Sequence, residues 1–236
     1  MAKTSGLDTR LYVAGYDISG DASAIEGVGY TQNLMETTAF NTAATSRIIG
    51  LVDGNLGVSV FFEQTSEHAA LLSSNVLPTG DRVVTVPMGS AVGDAGIGLV
   101  SKQANYDVSQ GGTGSPVTAK ATFSANGYAP EFGVMLTAHD DTHSSASNGT
   151  SVDNSASSAN GGAGYIQAFS LSSGTPTVKI QHSADNSTFT DLITFTASTA
   201  ISSEYKTVSG TVNRYIRVSS TGTFSNLKLA CLFYRG

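Results

Sequence analysis

Apolar and polar residues alternate along several short stretches of this chain. Residues 56–62 and 117–123 each place four apolar side chains at every second position. A period of two points one set of side chains inward and the other outward, as in a half-buried antiparallel strand. Similar patterns predict further strands in the first half of the chain, at 10–16, 82–88, 97–108 and 132–138. Glycine-rich turn sequences separate these runs.

One helix is predicted, from about residue 65 to residue 75. Thr65 or Ser66 can cap its first turn, and Ala69, Leu72 and Val76 mark one apolar face. Because so short a helix is only marginally stable in water, we expect it to pack on a sheet.

The composition changes abruptly between residues 142 and 163. Seventeen of these 22 residues are Ser, Gly, Asn or Ala, and none is Leu, Ile, Phe, Tyr, Lys or Arg. Such a segment has little apolar surface to offset the entropy lost on ordering, which predicts a linker or a long surface loop. It would divide the chain into a first β domain, residues 1–141, and a C-terminal domain, residues 164–236.

The C-terminal domain contains six strand-like runs with compact turns between them. They lie at 165–171, 177–182, 189–195, 205–208, 212–218 and 224–234. Spacings near ten residues predict an antiparallel β-sandwich. Because the two halves are not close repeats of each other, we interpret the second as an appended module. The expected fold class is mainly β, with one β-sandwich or barrel, a short flanking helix and a C-terminal sandwich.

Composition narrows the class of protein further. Charged residues make up 13% of the chain, about half the usual fraction. The single cysteine, Cys231, excludes an intramolecular disulfide and a Cys-based zinc cluster, and its strand spacing predicts that it faces inward. The polar start resembles no secretory leader, and no apolar run reaches the roughly 18–20 residues that cross a bilayer. We expect a soluble protein, made in a cytoplasm, without membrane insertion.

Charge is distributed unevenly along the chain. Residues 1–150 carry 6 Lys/Arg and 14 Asp/Glu, a net of −8, whereas residues 151–236 carry 6 and 4, a net of +2. An acidic first half without a basic run argues against tight nucleic-acid binding, which needs clustered Lys and Arg. The carboxylates are either a solvated surface or a functional acidic lining.

Residues 139–143, His-Asp-Asp-Thr-His, are the best metal candidate because imidazole and carboxylate are natural ligands. The cluster adjoins the predicted linker, where a preorganised site is difficult to hold, so we interpret it as a hydrated loop. His68, in the first turn of the predicted helix, has no second ligand at helical spacing and is interpreted as a surface or packing residue.

The turn near residue 185 contains two further sets of chemically suggestive residues. His182, Ser183 and Asp185 are the residue types of a hydrolytic triad, but neighbours on one turn cannot adopt its geometry. Four side chains offer oxygen ligands for calcium without the spacing of an EF-hand: Asp185, Asn186, Thr188 and Asp191. A hairpin turn is the preferred interpretation of both sets.

Two other patterns give no catalytic prediction. Gly93, Gly96 and Gly98 follow neither dinucleotide-binding nor phosphate-binding spacing and predict a flexible loop. With no Trp in the chain, the candidate aromatic platforms for a sugar are tyrosines that strand packing explains equally well, namely Tyr12, Tyr16, Tyr165 and Tyr205. We therefore expect no enzyme activity, no cofactor and no metal.

Two parts of the chain resemble a known family. Residues 11–20, LYVAGYDISG, resemble the opening of major tail (tail tube) proteins of long-tailed bacteriophages with non-contractile tails. Residues 152–167, 178–186 and 210–217 are similar to the C-terminal module appended to such proteins. The order of the predicted helix and the later strands also fits the family.

The resemblance implies a tail-tube-type β-sandwich that assembles as hexameric rings, with hairpins pooled into a continuous barrel around a lumen. Rings would stack around a tape-measure protein, with tail-terminator and distal tail proteins as further partners. The protein would belong to the phage virion and be assembled in the host cytoplasm. Three segments are candidates for contacts between rings: 42–47, 88–98 and 110–115.

A conduit for DNA needs a wall to which DNA does not adhere. Carboxylates facing the bore would repel phosphates over about 8 Å at physiological salt, and the −8 charge of the first half suits such a lining. The C-terminal domain would then decorate the exterior, where it would contact host-surface glycans or stabilise the tail.

One alternative function stays open at this stage. A carbohydrate- or host-surface-binding β-sandwich of a phage fibre or baseplate would form a discrete oligomer with an aromatic groove. A hydrolase would need a pocket with convergent titratable groups, which the sequence does not offer.

Overall fold

The computed structural model describes residues 6–63, 70–72 and 76–236. The protein is mainly β, as predicted, and the strand pairs of the described residues are antiparallel. The predicted helix at 65–75 lies outside the described residues except for 70–72, and His68 lies outside them as well. Ala70 and Leu71 are fully buried. No helix in the described ranges is long and apolar enough to span a membrane.

Within the described ranges, nineteen strands follow a short 3-10 helix at Gly6–Asp8. The first eleven are β1 (Tyr12–Val13), β2 (Tyr16–Asp17), β3 (Ala22–Glu36), β4 (Arg47–Phe61), β5 (Arg82–Pro87), β6 (Ala95–Gln110), β7 (Val117–Ala125), β8 (Glu131–Met135), β9 (Thr142–His143), β10 (Ser147–Asn148) and β11 (Val152–Asp153). The others are β12 (Gly162–Ser170), β13 (Ser173–Gly174), β14 (Thr177–Ser183), β15 (Thr190–Thr194), β16 (Ser202–Val208), β17 (Tyr215–Thr221), β18 (Phe224–Ser225) and β19 (Leu227–Arg235).

Eight strands form one sheet that rolls up on itself, in the order β16-β12-β19-β8-β6-β5-β1-β2. The two terminal regions of this sheet approach each other where the Gln167 side chain on β12 forms hydrogen bonds with β5 and with the turn between β1 and β2. Gln167 Oε1 accepts a hydrogen bond from the Gly15 amide at 2.7 Å, and Nε2 donates to the Val83 carbonyl at 2.9 Å. The inside of this rolled sheet holds an apolar cluster formed by Tyr12, Val83, Val100, Met135, Ala163, Tyr165, Ala230 and Leu232.

Close packing inside the rolled sheet requires glycine at position 98. A Cβ there would lie 2.5 Å from Cε2 of Tyr165, so a larger residue would collide with the ring. Gly96 lies against Leu232 in the same way, and both glycines belong to β6. The prediction of a flexible loop is therefore wrong for Gly96 and Gly98. Both lie in a regular strand, where the absence of a side chain leaves space for neighbouring side chains.

Three further strands of the same hydrogen-bonded network, called the second sheet below, pack against one outer face of the rolled sheet. The second sheet runs β3-β4-β7 and continues into the second half of β6. Leu56 and Val58 of β4 meet Ile97 and Leu99 of β6 in a common core. The alternation predicted for 56–62 and 117–123 is confirmed at the buried positions Leu56, Val58, Val60, Ala119, Ala121 and Phe123.

A third sheet covers a different part of the outer face, which gives the C-terminal sandwich. Strands β10 and β11 pair with β17, which is followed by β14 and β15. Ile180 and Val218 of this sheet pack against Cys231 and Phe233 of β19. Cys231 faces inward as predicted, and complete burial raises the pKa of its thiol. Because β19 also pairs with β8, one sheet contains strands from both sides of residues 142–163.

Residues 142–161 are hydrogen-bonded to the sheets, mostly along the surface, and Gly162 and Ala163 already belong to β12. Strand β9 pairs with β19, β10 and β11 pair with β17, and Ser158 exchanges backbone hydrogen bonds with Val212. The segment is thus a bonded surface loop and not a free linker. Backbone amides and Ser and Asn side chains supply hydrogen bonds that a count of apolar residues does not register. The division into domains at this segment stays a prediction.

The long strand β3 and the first part of β4 are absent from the sequence prediction. Three register shifts interrupt β3, between Ala22 and Ala24, Ile25 and Gly27, and Gln32 and Leu34. Each irregularity breaks the period of two from which a strand is recognised.

Replacing Gln167 by leucine should destabilise the protein by about 1–3 kcal/mol, because the Gly15 amide loses its buried acceptor. Thr207→Ala, at an exposed position of β16, should change the free energy of unfolding by less than about 0.5 kcal/mol. Urea unfolding measures both. Equal stability of Gln167→Leu and wild type would contradict the role of Gln167 in holding the rolled sheet together.

Candidate assembly surface

Strands β3 and β4 continue as a two-stranded hairpin beyond the second sheet. β4 pairs with β7 from Asn55 onward, whereas β3 and β4 remain paired out to Glu36 and Arg47. Residues 31–52 are called the free hairpin below, because among the described residues their strands pair only with each other. Six strand residues at about 3.3 Å each carry the hairpin roughly 20 Å outward.

The free hairpin exposes apolar side chains on both faces. Leu34 lies opposite Ile49, and the adjacent pair, Met35 and Ile48, points to the other face. The exposed set is Leu34, Met35, Phe40, Ile48, Ile49, Leu51 and Val52. A two-stranded hairpin is marginally stable in water on its own, and a contiguous exposed apolar patch marks an interaction site. This surface therefore has the properties of a protein–protein interface.

The tip of the free hairpin, residues 37–46, consists of Thr, Ser, Asn and Ala with one large apolar residue, Phe40. The Thr37 amide donates to the Ser46 carbonyl at 2.8 Å, and the Thr42 hydroxyl donates to the Ala39 carbonyl at 2.6 Å. The predicted contact segment 42–47 forms part of this tip and is exposed. Its contact with another ring stays a prediction.

The outer edge of β3 is a second feature of this surface. Among the described strands, β3 pairs only with β4, so no described strand pairs with the other edge of this 15-residue strand; at its start, the Ala22 amide donates to the Ile18 carbonyl. Proteins usually protect such edges with Lys, Pro, a short strand or β-bulges; β3 contains no Lys, Arg or Pro, and three register shifts interrupt it. An edge of this length is a template for a strand from another chain.

The outward face of the second sheet is polar and nearly neutral. Lys120 on β7 donates to Glu26 on β3 at 2.6 Å, and Ser59 on β4 donates to the same carboxylate. These two hydrogen bonds hold the pKa of Glu26 below its usual value, and the bond from Lys120 has the larger effect. Asp107 on β6 accepts a hydrogen bond from Asn105 at 2.6 Å. The other side chains of this face are mostly small hydroxyl and amide groups. By strand register, its charged residues are three carboxylates and two ammonium groups, namely Glu26, Asp53, Asp107, Lys102 and Lys120.

The predicted metal cluster at 139–143 does not converge on one point. Asp140 binds the guanidinium of Arg10 at 2.8 Å, while His143 turns inward and places Nδ1 2.5 Å from Ser220 Oγ. Burial lowers the pKa of both His139 and His143. The described residues contain no group of three His, Cys, Asp or Glu side chains that could hold a metal ion.

Asp141, His143 and Ser220 have the residue types of a hydrolytic triad, and the sequence analysis missed this grouping. His143 Nε2 lies 3.9 Å from Asp141, but Ser220 and His143 are both buried. The Ser220 hydroxyl also accepts a hydrogen bond from the Ser147 amide at 3.2 Å. A nucleophile so enclosed has no space for a substrate, and the group fastens residues 142–148 to β17.

The turn near residue 185 is structural, as preferred above. Asp185 Oδ1 accepts hydrogen bonds from the Ser187 and Thr188 amides, which lower the pKa of Asp185 to about 2. His182 Nδ1 accepts from the Asn213 amide. The other carboxylate, Asp191, is bound by Lys179 and Gln181 on β14. Within the candidate triad, Ser183 donates a hydrogen bond to Asp185 at 2.8 Å, but the ring nitrogen of His182 is taken by the Asn213 amide. The candidate calcium ligands Asp185 and Asp191 bind different partners.

The tyrosines considered as sugar platforms lie in the core. Tyr12 and Tyr165 are fully buried, and Tyr16 and Tyr205 are partly buried against apolar clusters. A groove of about 300 Å³ beside β16 is lined mainly by small and aliphatic residues, and its one aromatic lining residue, Phe195, is itself buried.

A half-buried carboxyl group that faces the inside of the rolled sheet was not predicted from the sequence. Tyr165 donates a hydrogen bond to Glu131 Oε2 at 2.6 Å, and the ring of Tyr205 packs on that of Tyr165 at 4.8 Å. Burial raises the pKa of Glu131, against the opposing effect of the Tyr165 hydrogen bond. No local pattern reveals this group, because its members come from β8, β12 and β16.

Comparison with known proteins gives weak structural likenesses. No family model matches the chain, and no curated protein matches it. A chain of a native gene transfer agent virion is 13% identical, with a TM-score of 0.41, over 55% of this chain and 98% of that one. A chain of the activated phage p2 baseplate with Sr is 10% identical, with a TM-score of 0.38, over 97% and 98%. We draw nothing further from matches at these TM-scores.

Glu131→Gln should change the pH dependence of stability. Because the folded-state pKa of Glu131 lies above its ordinary value of 4.5, its contribution is present at low pH and is lost as the pH rises through the folded pKa. The glutamine side chain does not titrate. The melting temperature of Glu131→Gln minus that of wild type should therefore increase as the pH is raised from about 4 to about 8.

Asp191→Asn is the control of opposite sign for this experiment. Hydrogen bonds from Gln181 and Lys179 lower the pKa of Asp191, so its stabilisation is present at neutral pH and is lost as the pH falls. The melting temperature of Asp191→Asn minus that of wild type should therefore decrease as the pH rises toward neutral. Parallel pH profiles for Glu131→Gln and wild type would show that Glu131 does not titrate in a buried site.

Proposed function

We propose that this chain is a structural virion protein of a phage tail, which polymerises as stacked, hexameric rings into a tube that conducts DNA. The observation that carries the proposal is the free hairpin, whose two apolar faces have no partner among the described residues of the chain. The choice of a tail tube as the assembly rests on the resemblance of residues 11–20 to tail tube proteins.

A second copy of the chain is the partner that this surface fits. Every copy brings the same free hairpin and the same unpaired β3 edge, so identical contacts can repeat from one subunit to the next. Head-to-tail contacts that close give a ring, and contacts that do not close extend without limit. In the proposed tube, β3 edges join neighbours into a continuous barrel, and free hairpins are covered by copies of adjacent rings.

In the proposed tube, the polar face of the second sheet lines the bore. Three carboxylates and two lysines give this face a net charge of −1 per subunit, much smaller in magnitude than the −8 of the whole first half. Repulsion of DNA is then modest, and the lack of basic clusters on this face matters more, because phosphate binding needs several Lys or Arg together. The lining would let DNA pass without tight binding.

The remaining partners follow from this assignment. A tape-measure protein would fill the bore before DNA release, and tail-terminator and distal tail proteins would close the tube ends. The protein would lie in the virion after assembly in the host cytoplasm. The third sheet would face outward, where contact with host-surface glycans belongs to the same proposal.

The alternative of a glycan-binding fibre or baseplate protein is less well supported. It needs an aromatic groove, and the candidate tyrosines are packed in the core. Phe189, in the turn before β15, is covered by the guanidinium of Arg217 at 3.8 Å from the ring centroid. Glycan affinity in a protein that forms discrete particles would favour this alternative.

Ile49→Asp should abolish assembly without unfolding the subunit, because it places a charge on the exposed apolar face of the free hairpin. Ile201→Asp, at an exposed position before β16, is the control and should assemble like wild type. Negative-stain electron microscopy of concentrated protein shows the tubes or stacked rings, and circular dichroism checks the fold. Tubes formed equally by Ile49→Asp would remove the free hairpin from the proposal.

The pair Glu26→Lys and Asp107→Lys should convert the lining into one that retains DNA. The charge of this face changes from −1 to +3 per subunit, and every added lysine strengthens phosphate binding. The control places two lysines on the C-terminal strands, at exposed Thr190 and Thr207. Co-sedimentation of DNA with tubes, at low and physiological salt, measures retention inside the bore. Equal retention by both variants would place the polar face outside the bore.

A further inference from the structure

We infer that residues 126–132 form a bracket that sets the angle at which the free hairpin leaves the body, and that Glu131 is its positioning residue. The bracket contacts the base of the hairpin with one end and the far strands of the rolled sheet with the other. The consequence for assembly rests on the proposed function, whereas the contacts themselves belong to the single subunit.

At the hairpin end, the bracket holds both strands at the same point. Tyr30 and Gly54 are paired residues at the base of the free hairpin. Buried Pro130 lies so close to Gly54 that a Cβ there would be 2.3 Å from the proline Cδ. The ring of Phe132 meets that of Tyr30 edge-on, with centroids 6.4 Å apart. A change in the path of the bracket therefore displaces the hairpin base.

At the other end, the bracket is anchored to β12 and β16. Glu131 accepts the 2.6 Å hydrogen bond from Tyr165 on β12, and the ring of Tyr128 packs on that of Tyr205 on β16 at 4.7 Å. These anchoring strands come from the C-terminal part of the chain. The bracket thus links the C-terminal strands physically to the hairpin, which comes from the N-terminal part.

Strand geometry explains how one short segment reaches both sites. Glu131 and Phe132 are consecutive residues of β8, so their side chains point to opposite faces of the sheet. Glu131 faces the inside of the rolled sheet, and Phe132 faces the hairpin base. Pro130 fixes the backbone torsion φ immediately before them, which limits independent movement of the two contacts.

The surroundings of Glu131 make its hydrogen bond the main polar contact of the anchor. The titratable groups facing it from packed elements of the described structure are phenols, Tyr165 on β12 and Tyr205 on β16, with Tyr128 of the bracket itself beyond Tyr205. Removal of the Glu131 side chain leaves the Tyr165 hydroxyl buried without its acceptor. Glutamine at this position keeps an acceptor oxygen of the same reach.

Hydrogen exchange of the dilute, unassembled subunit tests the bracket. Glu131→Ala should accelerate amide exchange in residues 28–32 and 52–55 by about tenfold or more, because a buried hydrogen bond is lost at the anchor. Glu131→Gln should restore wild-type exchange at the hairpin base. Tyr165→Phe removes only the hydroxyl and should act in the same direction as Glu131→Ala, which keeps the test valid if the alanine variant does not fold.

Val178→Ala is the control for a general loss of stability. Val178 is buried between the C-terminal sheets and is away from the bracket. At matched global stability it should leave exchange at the hairpin base unchanged. If Glu131→Ala and Tyr165→Phe behave like Val178→Ala there, the inference is overturned.

Assembly of the same variants separates the bracket from the proposed function. Glu131→Ala should form tubes more slowly than wild type, and Glu131→Gln should form them normally. If exchange at the hairpin base rises but assembly is unaffected, the bracket stands and the role of the free hairpin in polymerisation fails. If exchange is unchanged, the bracket is rejected whatever the assembly result.

Discussion

An apolar hairpin that no other described part of its own chain covers is the constraint on which the rest of this structure depends. The free hairpin exposes seven large apolar side chains over 22 residues. Complete burial of one such side chain stabilises by about 1.5–3 kcal/mol, and association of two proteins costs about 4–15 kcal/mol. Covering one of these side chains is therefore insufficient, whereas covering most of them on both faces favours association.

The rolled sheet provides the rigid base from which such a hairpin can act. Gln167 joins its two ends through buried hydrogen bonds, and Gly98 allows Tyr165 to cross its interior. Strands from the N-terminal and C-terminal parts share this one sheet, because β19 pairs with β8. The bracket then connects the shared sheet to the hairpin base. Shape and surface chemistry, and not a pocket of reactive groups, are what this architecture presents to its surroundings.

The sequence predicts the parts of this structure that depend on local pattern. The alternation at 56–62 and 117–123, the inward position of Cys231 and the turn at Asp185 all follow from neighbouring residues. Long-range pairing has no such signal, so the rolled sheet and the buried Glu131–Tyr165 contact were not predicted. Strand β3 was missed because its register shifts remove the period of two. The exposed apolar residues of the hairpin look like ordinary strand residues until the structure places them outside the core.

Hydrogen exchange measured as a function of protein concentration tests the central claim most directly. If copies of the chain cover the free hairpin and pair with β3, amides of residues 22–36 and 47–52 will gain strong protection when dilute subunits are concentrated into assemblies. Amides of β14 and β17, in the C-terminal sandwich, will keep the same protection throughout. Exchange in the free hairpin that stays fast in the assembled state would contradict the account, because another surface would then hold the copies together.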